Sequence, residues 1–345
     1  MKRLLYLDTL RGIAALMVVI FHGLSFLDKN PSPQTLHYWL TNVFDLGKIG
    51  VIIFFAISGF VITWTLSNKK NLRSFWRSRI FRLYPAYWAS IFFALVFGGG
   101  LAWENIDTLK LLKNLTRVQQ FFGFDNILGV YWTLAIEMVF YVTISIVYLA
   151  KRYNDKSFFI LSIAFLIAAL GLALARYLLE KKLPVALPLS LSIMFFSALL
   201  QKVVIEKDKK ALEYVKKYLV LFIVMIPLIS LLAYNKNMGY NEVWYRYTLS
   251  YFSAIIIFLW MIWAKISTTL GVYLGRISYS MYLFHPIVME SGRSLLLNIY
   301  HSLGIFLAIC VLIILVVIVA TVIYYLIERP FMQLSKRVAL APMQI

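Results

Sequence analysis

The sequence alternates long apolar runs with short polar segments. A membrane-spanning helix needs about 20 mostly apolar residues, and such runs are centred near residues 18, 58, 91, 139, 168, 194, 226, 256, 287 and 315. The clearest extends from Ile305 to Ile327 without a charge, and the weakest are the third, which ends at Gly98-Gly99-Gly100, and the ninth, which contains His285 and Glu290. The pattern predicts an all-α, polytopic membrane helix bundle of about ten transmembrane helices.

The composition excludes an ordinary soluble protein. Of the 345 residues, 62% are hydrophobic and 14% are charged, and the mean hydropathy is +0.81, whereas soluble domains carry roughly 25% charged residues. We therefore expect the lipid bilayer to be a partner that surrounds most of the chain. The single cysteine, Cys310, excludes an intramolecular disulfide and a cysteine-clustered metal site. No motif with metal-ligand spacing is present, so we predict no metal site.

The formal charge of +19 raises the question of nucleic-acid binding. The basic residues lie in short blocks between apolar runs, which is typical of cytoplasmic loops and not of a groove-reading domain, so we expect no nucleic-acid partner. Placing the N-terminus in the cytoplasm puts about two thirds of the Lys and Arg residues on that side. This predicts two cytoplasmic termini. Residues 1–345 are expected to form a single integral membrane domain without an extracytoplasmic domain.

Ionisable side chains inside membrane spans are costly and are candidates for function. Arg11 and His22 are separated by eleven residues, which places them within roughly 20° of the same helix face and about 16 Å apart along the axis. Asp8 shares that face approximately. The alternative is a polar contact between helices, in which His22 donates to a neighbouring carbonyl group.

Glu137 is a second ionisable residue within a predicted span. If Trp132 marks the outer membrane interface, Glu137 lies at a depth similar to that of His22. We therefore predict that the carboxylate orients the imidazole of a catalytic base. The alternative is a structural salt bridge between Glu137 and an arginine.

Two further positions allow both a structural and a chemical interpretation. Ser58-Gly59 interrupts an apolar span, where small residues usually permit close helix packing, but the serine could also contribute a hydroxyl to a site. His285 precedes Pro286, and the proline frees a backbone carbonyl of its helix. The imidazole could repair this kink or take part in chemistry.

The segment from Lys69 to Arg82 contains six basic residues and no acidic one. Such a block can be a topology signal that lies on anionic headgroups. Arg79 and Arg82 are three residues apart and share a helix face, so they could also bind the phosphates of a cytoplasmic ligand.

Six motifs, taken in chain order, resemble those of the membrane-bound acyltransferase family 3, the acyltransferases that O-acetylate bacterial surface glycans. The resemblance extends from residue 5 to residue 331 and includes the Arg-x10-His pattern of Arg11 and His22. Thr9 stands where the family usually has glycine, and Met138-Val139 stands where Glu-Gln is frequent. The six motifs are Leu7 to Ala15 with Phe21-His22, Gly50 to Phe60, Arg79 to Pro85, Trp132 to Glu137 with Phe140-Tyr141, Leu274 to Pro286, and Glu328 to Phe331.

The resemblance implies an O-acetyltransferase in a bacterial cytoplasmic (inner) membrane. Its donor would be acyl-CoA, usually acetyl-CoA, with no permanently bound cofactor, and its acceptor a hydroxyl of a surface or lipid-linked saccharide. His22 and Glu137 would be catalytic. The resemblance also implies two other groups of site residues: Arg11, Arg79 and Arg82 for donor binding, with Asp8, Ser58, Trp132, Tyr141 and His285 in support.

Several alternatives remain open at this stage. His22 and Glu137 could relay protons in a proton-coupled transporter, a different class of protein. Among enzymes, the acyl group could be succinyl, or the acceptor could be a small secreted molecule. The acyl group could pass directly from the thioester to the acceptor or through a transient acyl-enzyme.

Overall fold

A computed structural model describes residues 4–69, 71–98, 107–239 and 242–340. Lys2, Arg3, Lys70 and Gly99-Gly100, which enter the sequence-based predictions, lie outside these ranges. The long helices are, in chain order, α1 (Leu5–Leu27), α2 (Leu46–Lys69), α3 (Leu72–Phe97), α4 (Trp132–Leu149), α5 (Asp155–Leu179), α6 (Ala186–Gln201), α7 (Lys209–Ala233), α8 (Trp244–Ala264), α9 (Thr269–Ser291), α10 (Ile305–Ile323) and α11 (Arg329–Leu340).

The all-α membrane bundle is confirmed for the described residues. Nine of their helices are long and apolar enough to cross a membrane. The predicted ninth span corresponds to α9, which is not among these nine although it is 23 residues long. Its sequence includes Arg276, His285 and Glu290, which lower its hydropathy. A short π-helical turn (Tyr324–Glu328) joins α10 to α11.

Two glycines allow the helices that carry site residues to pack closely. A Cβ atom on Gly275 of α9 would lie 1.9 Å from the Asp8 carbonyl oxygen of α1. A Cβ atom on Gly59 of α2 would lie 2.1 Å from the Met194 carbonyl oxygen of α6. Any side chain at either position would separate the helices, so the packing role predicted for Gly59 is confirmed.

The segment between α3 and α4 folds back against the bundle. The Tyr87 hydroxyl of α3 donates to the Asn114 carbonyl oxygen at 2.6 Å, and Arg117 is fully buried. Tyr131 is also fully buried and shares a hydrogen bond with Ser90 at 2.7 Å. Helix α4 therefore begins inside the bundle. Trp132, the first residue of this helix, is partly buried.

The face of the bundle at which α1 begins is called the N-terminal face below, and the opposite one the far face. At the N-terminal face the Thr268 hydroxyl caps α9 by accepting from the Gly271 amide, which satisfies one free donor of the first turn. The Thr268 amide in turn donates to the Thr9 hydroxyl of α1 at 3.4 Å. These contacts fix the register between α1 and α9.

Candidate active site

A cavity of about 100 Å³ lies among α1, α2, α3, α4 and α9. We call it the central cavity. The charged and hydroxyl-bearing side chains that line it are Arg11, Ser58, Arg79, Arg82, Thr133, Glu137, Tyr141, Ser278, Tyr279 and Tyr282. The structure therefore brings six of the predicted site residues to one cavity.

Glu137 is held by three neighbours. Its Oε1 atom accepts hydrogen bonds from the Ser58 hydroxyl at 3.0 Å and the Tyr141 hydroxyl at 2.6 Å, while the Arg117 guanidinium lies 3.5 Å from Oε2. Charge-assisted bonds of this kind are stronger than neutral ones. The Glu137 carboxylate is thus fixed in place, and the structural alternative of a salt bridge to an arginine is confirmed.

No sequence signal pointed to Arg117, because it follows no recognised motif and lies between predicted spans. Its backbone adopts a left-handed conformation with φ of 66°, which is uncommon for a residue other than glycine. Its guanidinium lies 5.5 Å from the Tyr84 ring centroid and 5.7 Å from that of Tyr87. Aromatic contact and the ion pair with Glu137 stabilise a buried charge that would otherwise be costly.

A second cavity of about 540 Å³ lies at the N-terminal face. We call it the basic cavity, because five basic side chains line it against two acidic ones, Asp8 and Glu328. Arg11 and Arg82 line both cavities, so these two side chains stand where the cavities adjoin. The five basic residues are Arg11, Arg82, Arg276, Arg329 and Lys336.

The predicted pairing of Arg79 and Arg82 is confirmed only in part. Both line the central cavity, but only Arg82 also lines the basic cavity. Arg79 is 9% exposed, and its Nε atom has no hydrogen-bond partner within the described ranges. The two arginines therefore share a face but do not occupy equivalent surroundings.

His22 lies against His285, with ring centroids 4.9 Å apart. The His22 Nδ1 atom is 3.0 Å from the Val18 carbonyl oxygen and 3.2 Å from His285 Nε2. Carbonyl oxygens only accept, so Nδ1 of His22 carries the proton. His285 Nδ1 carries its own proton for the same reason, since it faces the carbonyl oxygens of Met281 at 3.3 Å and Tyr282 at 2.9 Å.

The tautomers leave His22 prepared to act as a base. His285 Nε2 accepts from His22 Nδ1, so the Nε2 lone pair of His22 is available, and no hydrogen bond occupies it among the described residues. His285 is fully buried, whereas His22 is partly exposed. A base whose partner fixes its tautomer matches the arrangement needed for general-base catalysis.

His285 repairs the kink, which is one of the two interpretations that its sequence position allowed. Pro286 cannot donate a backbone hydrogen bond, which frees the Tyr282 carbonyl oxygen four residues earlier. His285 Nδ1 bonds to this same oxygen. Repair of the kink therefore fixes the imidazole that orients His22.

The predicted contact between His22 and Glu137 is wrong. Among the described residues Glu137 contacts Ser58, Tyr141 and Arg117, and His22 contacts His285. His22 lies about 16 Å along α1 from Arg11, which shares the central cavity with Glu137. The physical reason is that other side chains already hold both groups: Ser58, Tyr141 and Arg117 contact the Glu137 carboxylate, and His285 contacts His22.

The central cavity nevertheless reaches towards the histidine pair. Tyr282 lines the cavity, and its ring centroid lies 6.0 Å from that of His285, three residues further along α9. The Tyr282 hydroxyl is fixed by Thr133 at 2.8 Å and by the Val130 carbonyl oxygen at 3.0 Å. Tyr282 thus lies between the central cavity, which it lines, and the histidine pair, which lines neither cavity.

A family described as "Acyltransferase domain" matches residues 4–325. The chain belongs to this family. It has several helices that are long and apolar enough to cross a membrane, and the resemblance drawn from the six motifs is confirmed. No group of three or more His, Cys, Asp or Glu residues that could hold a metal ion is present within the described residues.

Individual relatives of this acyltransferase are distant. Acyltransferase MdmB of Streptomyces mycarofaciens is 30% identical over 166 residues, which are 44% of this chain and 40% of that protein. A Staphylococcus aureus (strain COL) protein, provisionally named an O-acetyltransferase, is 27% identical over 84% of this chain and 51% of its own length. An Acidianus two-tailed virus protein, provisionally named an acetyltransferase, is 23% identical over 81% of this chain and 82% of its own.

The chain thus spans about half or less of the length of the Streptomyces and Staphylococcus relatives. No solved structure gives a significant match to it.

Proposed function

We propose that this acyltransferase moves an acetyl group from cytoplasmic acetyl-CoA to a hydroxyl of a surface or lipid-linked saccharide. The observation that carries the proposal is the position of the His22–His285 pair beyond the end of a cavity that begins among unpaired basic side chains. Acyl-CoA is an anionic thioester, and its long thiol arm suits a cavity that is basic at one end and leads to a base at the other.

In this proposal His22 acts on the acceptor. Its Nε2 atom takes the proton of the acceptor hydroxyl as the oxygen attacks the thioester carbonyl carbon. The carbon–sulfur bond then breaks, and the CoA thiolate receives the proton that His22 removed. An acyl ester and free CoA are the products, and both histidines return to their starting state.

Glu137 has a different part in this mechanism from the one expected. The carboxylate lies in the cavity with Arg11, Arg79 and Arg82, where it balances part of their charge and keeps Arg117 in place. Positive charge in a cavity shielded from water favours the negative charge that develops on the thioester oxygen. Glu137 is therefore proposed as a positioning residue for these arginines.

The names of the relatives support acyl transfer as the reaction class more than they support a saccharide as the acceptor. Two of those described above carry provisional names as acetyl- or O-acetyltransferases. Family membership favours an enzyme over the proton-coupled transporter considered from the sequence. We place the protein in a bacterial cytoplasmic membrane with both termini and the basic cavity on the cytoplasmic side, where acyl-CoA is made, consistent with the distribution of basic residues.

Mass spectrometry of surface glycans tests this proposal in cells. Strains with the gene, without it, and with the His22→Ala variant at equal membrane abundance should be compared. We expect O-acetyl groups on a saccharide only in the strain with the unchanged protein. Identical glycans in all three strains would contradict the saccharide acceptor.

A further inference from the structure

The basic cavity contains cationic side chains to which the proposed mechanism gives no role. Arg276 is on α9, while Arg329 and Lys336 are on α11. All three are exposed and line the cavity. Within the part of the chain that the structure describes, none of them forms an ion pair within 4 Å.

The acidic residues of this cavity do not neutralise these three basic residues. Glu328 is 1% exposed, and its Oε2 atom accepts from the Ser280 hydroxyl at 3.0 Å. Asp8 is 6% exposed in α1. Both carboxylates are therefore buried, whereas the three basic side chains extend into the open part of the cavity, where an anion of several charges would be attracted.

Two aromatic side chains complete the cavity wall. Trp64, near the end of α2, and Tyr324, at the junction of α10 and α11, are both half-buried and line the same space. Aromatic faces next to unpaired guanidinium groups suit a ligand that combines a planar base with phosphates. A cavity of about 540 Å³ is within the size range of small-molecule sites and is large enough for a nucleotide.

We propose that the basic cavity binds the nucleotide half of the acyl-CoA donor, with its phosphates on Arg276, Arg329 and Lys336. This inference rests on the proposed function, because it names where the donor of that reaction is recognised. The adenine ring lies against Trp64 or Tyr324. Arg11 and Arg82, where the two cavities adjoin, flank the thiol arm as it continues into the central cavity.

The assignment separates two groups of arginines. Arg79 lines only the central cavity. In this proposal Arg79 and Arg82 therefore do not bind the phosphates together, which differs from the pairing that the sequence suggested. The nucleotide is instead held by the C-terminal helix α11 and the start of α9. Recognition of the donor and the chemistry on its thioester are thus carried out by different residues.

Binding of CoA and of pantetheine to the purified protein, measured by calorimetry, tests the inference without turnover. Pantetheine has the thiol arm but neither phosphates nor adenine. We expect Arg276→Ala and Arg329→Ala each to weaken CoA binding about tenfold, the effect of losing one charge-assisted contact. Pantetheine affinity should stay unchanged.

Arg337→Ala is the matched control, because Arg337 neighbours Lys336 on α11 and is exposed but does not line the basic cavity. It should bind CoA like the unchanged protein, while Lys336→Ala should bind it more weakly. Equal CoA affinity in the Arg276, Arg329 and Arg337 variants would overturn the inference, as would an equal loss for CoA and pantetheine. Arg276-dependent CoA binding without acetyl transfer would uphold this inference while refuting the proposed function.

Discussion

Both faces of the bundle carry charged side chains set among the helices, but the two sets differ in what neutralises them. At the far face Asp45 forms ion pairs at 2.8 Å with both Lys48 and Arg246, and Arg176 pairs with Glu242 at 2.5 Å. Burial alone would raise the pKa of Asp45, but Lys48 and Arg246 outweigh it and hold this pKa below its ordinary value. We call these residues the far-face cluster.

The basic side chains that line the basic cavity at the N-terminal face have no such partners among the described residues. Arg82, Arg276 and Lys336 form no ion pair with any residue that the structure describes, although all three line one cavity. Charges that are already paired hold helix ends together, whereas unpaired charges around a cavity are available to a ligand. The difference supports the proposed roles: the far-face cluster stabilises the fold, and the basic cavity binds the donor.

The largest effect is expected at His22, which lies between the two regions. His22→Ala removes the base and should lower kcat by about 10²- to 10⁴-fold, as loss of general-base catalysis does. The KM for acetyl-CoA should stay nearly unchanged, since the proposed donor site is the basic cavity, which His22 does not line. Steady-state kinetics with purified protein measure both constants.

A variant of His285 tests the same pair of histidines. His285→Ala should lower kcat less than His22→Ala does, because it removes only the orienting partner. The double variant should be hardly worse than His22→Ala alone, since the two residues act together. Independent, additive losses would show that His285 does not act through His22.

A substitution in the far-face cluster should lower the stability of the folded protein. Asp45→Asn leaves Lys48 and Arg246 without their common carboxylate, and breaking a buried ion pair costs about 3–5 kcal/mol. Thermal unfolding in detergent should show this loss, while Arg276→Ala should change stability by no more than about 0.5 kcal/mol. A strongly destabilised Arg276→Ala protein would remove the contrast between the two faces.

The same ion pairs predict a dependence on pH. The pKa of Asp45 is lower in the folded than in the unfolded protein, so its contribution to stability is present above the unfolded pKa and is lost as pH falls through the folded one. The unchanged protein should lose stability in acid more steeply than Asp45→Asn. Parallel stability curves for the two proteins below about pH 4 would contradict this role.

A smaller effect is expected at Glu137. Glu137→Gln keeps the hydrogen-bonding shape but leaves the buried Arg117 without its anion, at a cost of about 1–3 kcal/mol. Turnover should fall because the arginines of the central cavity lose the carboxylate that balances part of their positive charge. If kcat, KM and stability all stay unchanged, Glu137 does not position these groups.

The smallest effect is expected at Ser58. Ser58→Ala removes one of three contacts to Glu137, so activity should fall by no more than about tenfold, the equivalent of one hydrogen bond. This variant also tests the acyl-enzyme alternative, because Ser58 is a serine whose hydroxyl contacts a carboxylate in the cavity. Acetylation of Ser58 detected by peptide mass spectrometry, together with inactivity of Ser58→Ala, would contradict direct transfer.

Much of the fold could be predicted from the sequence, because each long apolar run forms a helix whatever its neighbours are. Five residues that the sequence marked as site residues also line one cavity, as expected: Arg11, Ser58, Arg79, Arg82 and Glu137. Costly polar groups within spans cluster where a protein interior can hold them. Periodicity and motif spacing were sufficient at this level.

The partners of these residues could not be predicted in the same way. The contact between His22 and Glu137 was inferred from depth, and depth depends on how the segment before α4 folds. That segment contains Arg117, whose burial follows from tertiary contacts with Tyr84 and Tyr87. Apolar periodicity carries no information on such contacts, so His285 was not recognised as the partner of His22.

The most direct test of the account is a joint measurement of CoA release and saccharide O-acetylation by purified protein supplied with acetyl-CoA and an extracted surface glycan. We expect equal amounts of both products from the unchanged protein. His22→Ala should form both products at least about a hundredfold more slowly, although it should still bind CoA with unchanged affinity. CoA release without an acetylated acceptor, or near-normal transfer by His22→Ala, would contradict it.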